Sequence, residues 1–303
     1  MLSYYESLQE SQKSNRIKQE LFVITTILIM TDHYAVVGNP INHSRSPYIH
    51  RTFATITGQD ISYEAILSPL DSFKAVVTDF FSIPENKGLN VTLPFKEQAY
   101  DLSEAASLRA TQAGAVNILI KREDGCLYGD NTDGIGLVYD MTKNLNWSLV
   151  NKRILVIGAG GAVRGVLGAL LVQNPSQLWI ANRTHSKAEN LAEIFHIYGN
   201  ITAIRFEDIK AQSIDIIING TSASLTGDLP PLGDNILAQW ACAYDMAYGK
   251  PYMPFLDWAT TQQAHVSDGL GMLIEQAAES FFIWRGIRVQ TSKLLTEMKQ
   301  ELI

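Results

Sequence analysis

Short apolar runs that end in glycine or a small polar residue alternate along most of this chain with stretches whose apolar positions recur every three or four residues. Tyr34-Ala35-Val36-Val37 stops at Gly38, and Leu89-Asn90-Val91-Thr92 stops just before Pro94; both predict short buried strands. Ser46 and Pro47 read as the N-cap and first residue of a helix that Gly58 ends. Leu70, Phe73, Val76, Val77 and Phe80 fall at helical spacing, and another helix is expected after Pro94. Ala115 to Lys121 and Cys126 to Tyr128 flank Arg122-Glu123-Asp124-Gly125, the pattern of a hairpin. A mixed sheet with one antiparallel strand follows from that hairpin.

The pattern changes after Asp130-Asn131-Thr132-Asp133-Gly134, a polar, hinge-like stretch ahead of an apolar helix beginning near Ile135. Strands are expected at 153–157, 177–181, 201–206, 214–218 and 241–246, with helices between most of them. Such alternation predicts a doubly wound parallel sheet. Leu270 to Ile303 reads as two amphipathic helices with no strand to follow, a tail expected to pack back on the first unit. The fold class is therefore α/β in two domains. A mixed-sheet, substrate-binding domain takes residues 33–132 and 270–303, and a Rossmann-like domain takes 133–269.

Residues 1–32 read as an extension. Its apolar segment, Leu21 to Met30, is too short to span a bilayer, which takes about 20 residues. No small-residue cleavage site follows it, and a natural start at Met30 is expected. A length of 303 residues fits two domains, and 46% hydrophobic content fits a sizeable core. A net charge of −7 without a basic stripe argues against nucleic acid as a partner. Cys126 and Cys242 cannot make a disulfide framework, which suits a reducing, cytoplasmic setting. The six histidines show no metal-ligand spacing, so no metal is expected. A monomer and a homodimer both fit, with no membrane partner.

Candidate chemistry starts at Gly158-Ala159-Gly160-Gly161-Ala162, a turn between the strand ending at Ile157 and an apolar helical run. Glycine lets the backbone approach a pyrophosphate, whose charge then sits on the N-terminal end of the next helix. About 20 residues further on, an NAD binder places Asp or Glu against the ribose hydroxyls. This chain places Asn182, Arg183 and Thr184 there, with Lys187 just beyond. A cation with hydroxyls suits a 2′-phosphate that a carboxylate would repel, so the cofactor is read as NADP(H). Val163 takes the third glycine position of the usual fingerprint, a mild departure because Ala162 and Gly165 are small. Tyr139 and Lys143 match a Tyr-x-x-x-Lys dehydrogenase signature, but ahead of the turn rather than after it, and read as helix surface.

Eight short motifs in register carry a resemblance. They are Asn39-Pro40-Ile41-x-His43-Ser44-x-Ser46-Pro47, Asn90-Val91-Thr92-x-Pro94-x-Lys96, Gly114-Ala115-Val116-Asn117, Gly129-Asp130-Asn131-Thr132-Asp133-Gly134, the glycine turn, Asn182-Arg183-Thr184, Tyr244-Asp245-Met246 and Asp268-Gly269-x-Gly271-Met272-Leu273. Over about residues 33–290 the chain resembles the shikimate dehydrogenases. The resemblance implies reversible, NADPH-dependent reduction of 3-dehydroshikimate to shikimate, with Lys96 and Asp133 as the catalytic pair. It implies that Ser44 and Ser46 hold the substrate carboxylate and that Thr92, Asn117 and Gln276 bind its hydroxyls or carboxylate. Tyr248 reads either as closing the carboxylate end or as an interdomain packing aromatic. Met246 and Gly269 match positions near the nicotinamide. Lys187 stands where many relatives carry arginine, which implies somewhat weaker 2′-phosphate binding, and Gly220 stands where alanine is usual. A quinate/shikimate dehydrogenase using NAD and a non-catalytic NADP-binding sensor are the alternatives.

Overall fold

The computed structural model describes residues 31–211, 213–221, 223, 227–249 and 253–301; the expected start at Met30 and residues 1–30 of the expected extension lie outside the described residues, while Asp32, placed in the extension by the sequence reading, already belongs to the first strand. The first sheet contains β1 (Asp32–Gly38), β2 (Ile61–Leu67), β3 (Asn86–Val91), β4 (Ala105–Ala106), β5 (Ile118–Lys121) and β6 (Leu127–Asp130), in the order β2-β1-β3-β5-β6-β4. β5 alone runs against its neighbours, pairing antiparallel with both β3 and β6. The hairpin expectation therefore holds. Side-chain alternation along β1 splits the core: Ala35 and Val37 face one cluster and Tyr34 and Val36 another.

Helices α1 (Ser46–Thr57), α2 (Phe73–Ser82), α3 (Lys96–Leu102) and α4 (Leu108–Ala113) surround this sheet. Phe73, Val77 and Phe80 of α2 pack with Phe95 and Ala99 under β1 and β3, so most of the helical spacing read from sequence marks a buried stripe; Leu70, expected in the same stripe, lies in the turn before α2 and is exposed. Gly58 ends α1 in the left-handed conformation, as expected. The start of α1 differs. Arg45 is the N-cap residue, Ser46 is already the first helical residue, and no side chain caps the helix. Arg45 sits at φ −85°, ψ −7°, so the chain turns helical one residue before the extended geometry a capping serine needs.

The second sheet contains β7 (Arg153–Ile157), β8 (Gln177–Ala181), β9 (Ile201–Ala203), β10 (Ile214–Asn219), β11 (Leu237–Asp245) and β12 (His265–Ser267). Its order is β12-β11-β10-β7-β8-β9 and every pairing is parallel. Strand order reverses between β7 and β10, the switch point where such sheets open a ligand crevice at the strands' carboxyl ends. β2, β4 and β12 carry no clear sequence signal, being very short or edge strands without alternation. β11 begins earlier than expected and its register slips between Ile214 and Ile216 of β10.

The sheets are joined by α5 (Asp133–Tyr139), which runs into a π-helical turn at Asp140–Asn144. Behind it come α6 (Gly161–Val172), α7 (His185–Phe195), α8 (Pro254–Thr261), α9 (Leu270–Arg285) and α10 (Ser292–Glu301). The tail packs back as expected: Leu270, Ile274 and Phe281 of α9 and Leu294 and Met298 of α10 bury Ile49 and Phe53 of α1. α5 and α9 cross at backbone contact, since a Cβ on Gly136 would lie 2.7 Å from Gln276 N and 2.8 Å from Met272 O. At the end of this crossing, Asn144 Nδ2 donates to Asp140 Oδ1 (2.9 Å) and to Glu275 Oε1 (3.0 Å). Tyr244 donates to Asp140 Oδ2 at 2.7 Å, and Thr291 donates to Glu275 Oε1 at 2.7 Å.

Burial raises the pKa of both carboxyls, against the pull of these donors. A carboxyl whose folded pKa is raised stabilises the fold most below its ordinary value, about 4.3 for Glu, and that contribution is lost as pH rises through the folded pKa. Glu275→Gln keeps an acceptor for Asn144 and Thr291 while removing the charge. Its stability relative to the natural chain, read from urea melts, is expected to increase between about pH 4 and about pH 8. A difference independent of pH would exclude a buried-charge penalty.

Candidate active site

Lys96 opens α3 and Asp133 opens α5, so two helix starts from distant parts of the chain meet here. Lys96 Nζ lies 2.5 Å from Asp133 Oδ2, with the side chains 15% and 7% exposed. The backbone delivers both. Val116 N–H donates to Lys96 O (2.8 Å), and Asn117 N–H donates to Asp130 O (3.0 Å). Asn131 reaches across to Ala115 O (2.9 Å) and accepts from Asp133 N–H (3.0 Å). The polar stretch that looked hinge-like is thus laced by side-chain amides to the segment before β5.

Asn117 is the centre of that lacing. Its Oδ1 accepts from Thr132 N–H at 2.9 Å, and its Nδ2 donates to Asp133 Oδ1 at 2.8 Å. Gln276 Oε1 lies 3.3 Å from the same Nδ2. With Lys96 on one carboxylate oxygen and Asn117 on the other, Asp133 is held in one orientation. Three further residues belong to this network, and the site reading from sequence gave them no role. Asn90 Nδ2 donates to Asn117 O (3.1 Å) and Ser280 Oγ (3.2 Å), and Ser280 Oγ lies 3.2 Å from Thr132 Oγ1. Asn90 and Thr132 sit inside quoted motifs, but Ser280 had only its place one helical turn after Gln276 as a signal. Behind them, Tyr63 donates to Asn90 Oδ1 at 2.7 Å and stacks on His50 at 4.2 Å. His50 is fully buried, and burial pushes its pKa down to about 3, so the imidazole is neutral here.

The other expected substrate residues are distributed around this centre. Ser46 is buried at the start of α1, and its N–H donates to Ser44 Oγ at 3.3 Å. Thr92 leaves β3 against Gly38, with its N–H on Val37 O. Tyr248 packs against the Leu270–Ile274 cluster, the interdomain position that was one of its two readings. No hydrogen bond among the described residues joins Ser44, Thr92 or Tyr248 to the Lys96–Asp133 pair.

The glycine turn lies at the switch point. Gly158 has φ +110°, which only glycine adopts readily, and its N–H donates to Ala181 O at 2.8 Å. A Cβ on Gly160 or Gly161 would meet nothing within 4 Å, and the first turn of α6 carries no acidic residue. Open space above uncompensated helix N–H groups fits a pyrophosphate. Arg183 and Thr184 follow β8 and are exposed, as is Lys187 in α7, while Asn182 Nδ2 donates to Thr184 O at 2.8 Å. Among the described residues no carboxylate pairs with Arg183 or Lys187. Gly269 meets the backbone of Met246, whose oxygen would lie 2.3 Å from a Cβ there.

This geometry accompanies similarity along the whole described chain. Residues 36–119 match the model of the shikimate dehydrogenase substrate binding domain, residues 140–226 that of shikimate / quinate 5-dehydrogenase, and residues 269–299 that of the shikimate 5′-dehydrogenase C-terminal domain. The shikimate dehydrogenase (NADP(+)) of Cellvibrio japonicus is 53% identical over 90% of this chain and 99% of its own length. The chain belongs to the shikimate dehydrogenase family. The enzyme of the same name from Alkalilimnicola ehrlichii is also 53% identical, over 90% of this chain and all of its own. The shikimate 5-dehydrogenase of Thermus thermophilus, solved with NADP(H) and shikimate, is 31% identical and superposes with a TM-score of 0.80 over 90% of this chain and 100% of that one.

Val163, the departure from the usual dinucleotide fingerprint, and Gly220, the departure from the family pattern, turn out to be one feature. A Cβ on Gly220 would lie 2.4 Å from Val163 Cγ2 and 3.0 Å from Met246 Sδ. Val163, in place of a third glycine, fills the space that an alanine at 220 would need. β-branched Val163 cannot swing aside within its helix. Gly220→Ala is therefore expected to cost about 1–3 kcal/mol by overpacking. Adding Val163→Ala should restore most of that loss in a double-mutant cycle of urea melts; additive losses would show that the two sites are independent.

Proposed function

We propose that this chain catalyses the reversible NADPH-dependent reduction of 3-dehydroshikimate to shikimate, with Lys96 and Asp133 as the catalytic pair. The observation that carries the role of the pair is the 2.5 Å contact between Lys96 Nζ and an Asp133 carboxylate whose other oxygen is committed to Asn117. The reaction class and the cofactor follow from family membership and from curated relatives named for them. NADPH, when bound, supplies the hydride that adds to the carbonyl carbon.

The residues of the chain handle the proton and the substrate. The Lys96 ammonium stabilises the developing alkoxide and donates its proton to that oxygen; in the reverse direction the amine takes the proton back. Asp133 orients the ammonium and accepts a hydrogen bond from a neighbouring substrate hydroxyl. Ser44 and Ser46 hold the carboxylate, Thr92, Asn117 and Gln276 bind the ring hydroxyls or the carboxylate, and Tyr248, from its interdomain position, closes the carboxylate end. The glycine turn from Gly158 to Ala162 takes the pyrophosphate, Asn182, Arg183, Thr184 and Lys187 take the 2′-phosphate, and Met246 and Gly269 flank the nicotinamide. Residues 33–132 with 270–303 form the substrate domain and 133–269 the cofactor domain of a cytoplasmic enzyme, monomeric or dimeric. No helix among the described residues is long and apolar enough to cross a membrane.

Lys96→Ala should lower turnover by about 10²–10⁴-fold, the usual contribution of a positioned acid. Shikimate affinity should stay within about tenfold, because the lost interaction belongs to the transition state. Normal turnover with a large affinity loss would make Lys96 a binding residue. Arg183→Gln should weaken NADP binding by about tenfold to a hundredfold, the worth of a charged hydrogen bond, and leave NAD binding unchanged. Equal turnover of quinate with NAD in the natural chain would favour a quinate/shikimate dehydrogenase instead.

A further inference from the structure

Behind the Lys96–Asp133 pair, between α4, α5 and α6, lies a cavity of about 550 Å³. Its size is that of a small-molecule site, for which roughly 300–1,000 Å³ is usual. The floor is apolar, made by Ile135, Val138, Ala169 and Phe195, and the mouth carries Val172 and Tyr139, which are 72% and 45% exposed. Three cations line it, Arg109, Lys143 and Arg164, and no aspartate or glutamate does. The Tyr139-x-x-x-Lys143 pattern that the dehydrogenase chemistry leaves unused forms part of this wall.

The three cations are not equivalent. Arg109 is committed to Asp130 by two bonds of 2.7 Å, with Glu279 a further 3.8 Å away. Among the described residues neither Lys143 nor Arg164 has a carboxylate partner. Arg164 leans over Gly114, where a Cβ would come within 2.4 Å of Nη2, and its Nε is buried without an acceptor. Two cations without a carboxylate beside them, set against an apolar floor, suit a ligand with an apolar body and a negative charge. We propose that this cavity is a second binding site for a small aryl carboxylate, its ring on the apolar floor and its carboxylate between Arg164 and Lys143.

The site is distinct from the catalytic cleft but adjoins it. Asn131 lines the cavity, and its Oδ1 accepts the N–H of Asp133 at 3.0 Å. Gly165, also in the wall, would place a Cβ 3.2 Å from Asn131 Nδ2 and 3.3 Å from Asp133 Oδ2. A ligand here therefore lies one side chain away from the catalytic carboxylate without touching it.

Isothermal titration of the full chain with 2-naphthoate tests this, with saturating shikimate and NADP present so that the cleft is filled. One site with a Kd below about 1 mM is expected. Neutral 2-naphthalenemethanol should bind at least about tenfold more weakly, and so should 2-naphthoate to Arg164→Gln or Lys143→Gln, since each removes a charged contact. Val172→Trp, a change at an exposed position that closes the mouth, should abolish binding and leave turnover intact. Absence of binding, equal affinity for the alcohol, or naphthoate binding unchanged in both Lys143→Gln and Val172→Trp would overturn the proposal.

Discussion

The carboxamide of Asn117 is the point on which the site depends. One side chain accepts from the backbone of Thr132 and donates to the carboxylate of Asp133, so it sets both where α5 begins and how its first residue is turned. Its own backbone is pinned between β3 and β6, through Val91 N–H and Asp130 O. A buried amide with this many partners is useful only when all are present, because each unpaired polar group in such a place costs about 1–3 kcal/mol. The network therefore behaves as a unit that extends outward to Asn90, Ser280 and Tyr63. Precision at Lys96 and Asp133 is inherited from it.

Close backbone approach is the second constraint. α5 carries Asp133 at one end and meets α9 through Gly136, so the helix that positions the carboxylate is also the one that joins the two sheets. Beyond it, the Asp140–Asn144–Glu275 cluster places two carboxyls where burial disfavours their charge. Polar residues hold the joint on both sides, and an apolar cluster of α1, α9 and α10 backs it. Val163 and Gly220 show the same logic at the cofactor turn, where the valine fills the space that a Cβ on residue 220 would need.

Legibility followed the range of the interactions involved. β7, β8 and β10, the hairpin, and the buried stripe of α2 were readable because period and turn chemistry are local properties of the chain. Ser46 was misread as a cap because the choice between cap and first helical residue depends on how Arg45 is held, which composition does not reveal. β4 and β12 were missed because such short edge strands exist only through pairing with a neighbour, and β2 because an edge strand without alternation shows no period of its own. Ser280 was missed because nothing in an amphipathic helix distinguishes a serine that meets Asn90 from one that meets water.

By itself the sequence determined the fold class and the family, and it singled out Lys96 and Asp133, which the fold brings into contact. Those follow from local patterns and from motifs that sit in order along the chain. Tertiary structure decided the rest: that Asn117 and Lys96 between them orient Asp133, that Val163 fills the space beside Gly220, and that three cations line a cavity behind the pair. Each of these joins residues far apart in sequence. Only packing, which requires that buried polar groups be paired and that no two atoms share one space, could bring them together.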